Sequence, residues 1–122
     1  MQRTYVQCAE LTLKADADSA APGGAVTLAL CGSWDHAGPC RWPHETSGAW
    51  DGRRGRVRVV FAAKAEEEAH VRALIERALA GGECRGPDGT QSFWVVVEQG
   101  GGVLSESEEV LGVKIAESRG SA

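Results

Sequence analysis

The sequence predicts a single α+β domain: a mixed sheet of four to five strands in the order β-β-loop-β-α-β-β, with one helix packed on one face. Three observations carry this. The chain has 122 residues, 43% of them hydrophobic and 25% charged, which is enough for one core and too little for two. One long stretch, 65–80, has helical periodicity. Several shorter stretches alternate or are apolar throughout.

Residues 4–15 read as the first strand. Glu10, Thr12 and Lys14 alternate with Leu11 and Leu13, the pattern of a strand with one wet face. Residues 16–24 are turn-like, with Asp, Ser, Pro and a Gly-Gly pair. Residues 25–31, apolar almost throughout, read as a second strand. A hairpin turning near Ser19 and Ala20 sets Cys8 opposite Cys31, with Cβ atoms about 5 Å apart. Residues 45–55 are expected to be loop, from the Ser47-Gly48 and Asp51-Gly52 turn signals.

Residues 56–63 form the next strand. In the helix over 65–80, Val71, Leu74, Ile75, Ala78 and Leu79 make the apolar stripe. Glu66, Glu67 and Glu68 suit the positive end of its dipole, and Gly81-Gly82 ends it. Residues 83–92 are expected to be loop. Phe93 to Val97 are apolar at every position, which predicts a strand covered on both faces and reached from 56–63 by a parallel crossover. Gly100, Gly101 and Gly102 predict a flexible turn. A last strand is expected over 110–116, with Val113 and Ile115 inward, and a frayed tail over 117–122. The domain spans 1–122.

The densest chemistry lies in the stretch 31–44, within a wider metal-binding and aromatic loop at 31–55. It holds two of the four cysteines, two of the three histidines and two of the four tryptophans. Cys31, His36, Cys40 and His44 are spaced C-x4-H-x3-C-x3-H. Structural zinc takes four thiolate or imidazole ligands in a tetrahedron. The preferred set is Cys8, Cys31, Cys40 and His44, holding one Zn2+, with His36 as alternate ligand. The second set, wholly local, is Cys31, His36, Cys40 and His44. Pro39 and Pro43 stiffen the turn that brings Cys40 and His44 together. The competing readings are unliganded core thiols, since free Cys behaves as a small hydrophobe, and a disulfide. Cys84 and His70 stand apart from the cluster, and His70 falls beside the helical stripe.

Trp34, Trp42 and Trp50 lie close to Arg41, Arg53 and Arg54. These six form the candidate partner-binding set, because Trp and Arg concentrate at interface hot spots, while packing of the tryptophans around the site is the competing reading. The net charge of −4 disfavours nucleic acid as the partner, although single strands do bind to aromatic and basic surfaces. A protein partner is expected.

No stretch approaches the ~20 apolar residues of a membrane helix, and the first residues lack the apolar run of a signal peptide. A cytoplasmic location, where cysteines stay reduced, follows as an expectation. Heavy use of Ala, Gly and Arg fits a GC-rich bacterial genome. HExxH, GxSxG and the deaminase pairing of His-x-Glu with Pro-Cys-x-x-Cys are absent. A binding module is therefore expected ahead of a zinc enzyme with an open metal position near His36, or a carrier of zinc or copper.

Overall fold

A computed structural model describes residues 2–32 and 41–120, with side chains up to residue 116. The elements are β1 (Gln2–Leu13), α1 (Ala21–Cys31), β2 (His44–Asp51), β3 (Arg54–Lys64), a 3-10 turn (Ala65–Glu67), α2 (Glu68–Ala80), β4 (Glu83–Arg85), β5 (Gln91–Gly101) and α3 (Glu106–Gly120). The strands lie in the order β2-β3-β1-β5-β4, and every neighbouring pair is antiparallel.

The expected mixed sheet is thus corrected to an antiparallel one. β3 and β5 do run parallel, as the crossover argument requires, but β1 lies between them. β1 and β2 are likewise parallel and separated by β3. Apart from the short edge strand β4 and the C-terminal α3, this is the split βαβ connectivity of ferredoxin-like domains.

The second expected strand is a helix, α1. Its run is apolar all round, so periodicity does not separate strand from helix. Pro22 sits in the first turn, where its missing N–H costs nothing. Gly32 closes the helix in the left-handed conformation (φ 78), its N–H bonding the Leu28 carbonyl at 2.9 Å. The Cys8–Cys31 hairpin therefore does not exist. The expected loop at 45–55 contains β2, and the hairpin to β3 turns at Gly52 (φ 60). The expected loop at 83–92 contains β4, and Gly100 and Gly101 belong to β5.

The last expected strand is helix α3. Its start is a capping box: Ser105 Oγ accepts the Glu108 N–H (3.2 Å), and Glu108 Oε1 accepts the Ser105 N–H (2.9 Å). Val113, expected inward, is 56% exposed.

Alternation along the strands divides the core. Leu11, Val57, Val59 and Phe61 point to one face and pack against Val26 and Leu30 of α1 and Val71, Ile75 and Leu79 of α2. Val6, Val60 and Ala62 point to the other face, where α3 crosses the sheet. Gly112 of α3 lies against Thr4, too close to admit a Cβ.

Beyond α3 the outer face is open. Phe93, Val95 and Val97 are 45%, 48% and 59% exposed, so β5 is covered on one face only.

Arg58 fastens α3 to the sheet. Its guanidinium donates two bonds to the Glu108 carboxylate (2.6 and 2.7 Å) and one to the Val103 carbonyl (2.8 Å). The Arg58 hydrogen bond holds the Glu108 carboxyl down at about 2, from a reference of 4.5. A carboxyl depressed by folding stabilises the fold above its unfolded pKa and loses that contribution as pH falls through the folded one. Glu108→Gln is predicted to cost about 1 kcal/mol at neutral pH, a modest value because Arg58 is 37% exposed. Between pH 4.5 and about 2 the wild type should lose this margin while the variant does not, as read by thermal melts.

Candidate functional site

The C-terminal turn of α1 and the first residue of β2 meet on the inner side of the sheet. Thr27 and Cys31, four residues apart, share one face of α1. Opposite them stands His44. Its Nε2 lies 3.1 Å from Thr27 Oγ1, and its Nδ1 lies 3.1 Å from the Trp42 carbonyl and 4.0 Å from Cys31 Sγ. A carbonyl can only accept, so the bond to Trp42 requires the proton on Nδ1. The other nitrogen, Nε2, shares a hydrogen bond with the Thr27 hydroxyl. His44 thereby ties helix, connecting segment and strand together.

Of the preferred zinc set, the structure brings Cys31 and His44 together. Cys8 is elsewhere. Cys8 pairs with Arg58, which pairs with Ser47, and all three point to the outer face. His44 pairs with Phe61, which pairs with Tyr5 on the inner face. The sheet separates the two sites, so Cys8 does not join Cys31 and His44. Its thiol instead accepts a bond from Arg58 Nη1 at 3.4 Å.

Cys31 is disulfide-bonded, while Cys8 and Cys84 are free thiols. His36, Cys40, Asp35 and Trp34 lie outside the described residues. Among the described residues no group of three or more His, Cys, Asp or Glu side chains converges as a metal site.

Cys84 is buried in the inner core, and burial raises its thiol pKa. His70 is exposed and meets the Trp42 ring edge-on, centroids 5.5 Å apart.

The candidate contact residues divide. Trp42 is 6% exposed, a core side chain rather than a contact surface, with Arg41 stacked 4.6 Å from its ring centroid. Trp50 is half-buried against the inner core and lies across Gly48 and Gly55, where no Cβ fits beneath the indole. Arg53 and Arg54 are exposed at the β2–β3 turn, and Arg54 reaches Glu10 at 3.6 Å.

Trp50 also walls a groove of about 430 Å³ between α1 and β2, lined by Gly23, Thr27, His44 and Thr46 among others. Thr46 Oγ1 is buried there without a hydrogen-bond partner. A second groove, about 490 Å³, lies on the outer face between Cys8, Arg56, Arg58 and Glu98. Sequence reasoning missed Thr27. The signal for it is the Thr27–Cys31 spacing, visible only once 21–31 is read as a helix.

No protein-family model matches the chain, and comparison with curated proteins and with solved structures finds no significant match. Among the described residues no helix is long and apolar enough to cross a membrane.

Thr27→Val keeps the shape of the residue and removes the hydroxyl bonded to His44 Nε2. It is predicted to destabilise the domain by about 1 kcal/mol in urea unfolding. The same substitution should leave Nδ1 as the protonated nitrogen in ¹⁵N spectra of the His44 ring.

Proposed function

We propose that the protein is a small zinc-binding module whose stretch 31–44 is ordered by metal for contact with a protein partner. The observation that carries this is the approach of Cys31 and His44 at the two ends of that stretch. Their 4.0 Å separation is close to that of two ligands on one tetrahedral zinc, about 3.5 Å from ordinary Zn–S and Zn–N lengths. The ligand set that agrees with the sheet register is the local one, Cys31, His36, Cys40 and His44.

Zinc binds thiolate, not disulfide sulfur. The metal form therefore belongs to the reduced chain, and the disulfide at Cys31 to the oxidised one. A reducing compartment such as the cytoplasm favours the first. On ligation, His44 Nδ1 would exchange the Trp42 carbonyl for the metal, while Thr27 continues to orient the ring through Nε2. The exposed Arg53 and Arg54 supply charge for the partner contact, and Trp50 stiffens the strand that carries them.

Tag-free protein purified under reductant should carry about one equivalent of zinc by mass spectrometry. Cys8→Ser should retain it, and His44→Ala should lose most of it. Reduced wild type without zinc would overturn the reading. Zinc lost from Cys8→Ser and kept by His44→Ala would place the site on the other face of the sheet.

A further inference from the structure

β2 is an edge strand, and among the described residues no strand pairs with its outer side. It pairs with β3 in unbroken register over all eight residues, without a bulge, and contains neither Pro nor Lys. Natural edges of this length are usually blunted by such devices.

The direction of its backbone groups follows from two bonds at the sheet ends. The Ala62 N–H bonds the Pro43 carbonyl at 2.9 Å, and the Leu13 N–H bonds the Arg53 carbonyl at 2.7 Å. In an antiparallel ladder bonded pairs alternate with non-bonded ones. The odd-numbered residues of β2 therefore bond to β3. The N–H and C=O groups of Thr46, Gly48 and Trp50 point away from the sheet, and among the described residues no hydrogen bond involves them. Below this edge lies the groove with the unpartnered Thr46 Oγ1.

We propose that a second copy of the chain pairs on this edge, β2 against β2′ antiparallel about a two-fold axis at Ser47, joining two sheets into one. The geometry selects the register. A two-fold axis perpendicular to the sheet keeps the helices of both copies on one side. Opposed residues must then share a face, so only registers centred on a residue qualify, and those centred on Ser47 and Gly48 pair the most residues of the eight-residue strand.

Centring on Ser47 sets Thr46 opposite Gly48 of the second copy, both with outward backbone groups, and Glu45 opposite Ala49. Centring on Gly48 opposes Glu45 and Asp51, two acids directly across the pair, which is unfavourable. The Ser47 register places no like charges opposite each other and uses Gly48 where the small side chain leaves room beside Thr46. This pairing is independent of the metal reading, since it rests on β2 alone.

The test is the mass in solution, by sedimentation velocity over a concentration series from micromolar to millimolar. The wild type should shift from monomer to dimer. Ser47→Lys places two ammonium groups opposite each other on an exposed position, and because Arg58 lies across the strand a thermal melt of the dilute variant checks that the monomer fold is kept. It should weaken association about tenfold or more. Amide exchange by NMR gives the register. The Thr46 and Gly48 amides should become protected as concentration rises, while Ser47 and Ala49, already bonded to β3, stay unchanged.

A wild type that stays monomeric throughout overturns the proposal and leaves the edge to an unrelated strand. A dimer that Ser47→Lys does not weaken, or that forms without protecting the Thr46 and Gly48 amides, also overturns it.

Discussion

The two-residue alternation of side chains along β1 and β3 is the constraint on which the rest of the structure depends. Odd positions send Leu11, Val57, Val59 and Phe61 into the layer under α1 and α2. Even positions send Val6, Val60 and Ala62 under α3, and carry Cys8, Arg56 and Arg58 beyond it. Since neighbouring strands transmit this alternation through their register, the face of every strand residue is fixed at once. Cys8 and His44 are consequently divided by the full thickness of the sheet. Chemistry that needs both is closed to the folded chain.

Within that frame the stretch 31–44 has a simple role. It leaves α1 at Cys31 and enters the sheet at His44, and the two ends are bound to each other through the His44 ring. An imidazole held by a hydroxyl on one nitrogen and a carbonyl on the other is a structural tie. In the zinc reading proposed above the same ring would serve as an oriented ligand, because Thr27, which fixes its rotation, need not move when the other nitrogen changes partner. In that reading the Cys31 disulfide would belong to the oxidised chain and the metal to the reduced one.

Where periodicity is strong, the sequence was legible. The stripe from Val71 to Leu79 and the alternation around Leu11 and Val57 predict α2, β1 and β3 because each buries one defined face. α1 was misread because its apolar residues surround the helix, and an apolar run of that length fits either element. Pro22 and Gly32 mark its ends but compete with the Gly-Gly pair for interpretation. β2 hides because an edge strand needs little hydrophobicity, and Gly48 looks like a turn until Trp50 is seen covering it. α3 hides because Val110 and Val113 face outward, although the Ser105–Glu108 capping box is readable in the sequence. Of the expected Cys/His cluster, Cys31 and His44 stand close together, while His36 and Cys40 lie outside the described residues. Cys8 entered it only through the mistaken hairpin.

The claim that most needs testing is that the fold keeps Cys8 apart from any metal site formed by Cys31 and His44. Thiol alkylation of the reduced protein, mapped by peptide mass spectrometry with and without zinc, tests it directly. Zinc should slow modification of Cys31 and leave the rate at Cys8 unchanged. Protection of Cys8 together with Cys31 would contradict the account, for it would require the two thiols to share one ion across the sheet.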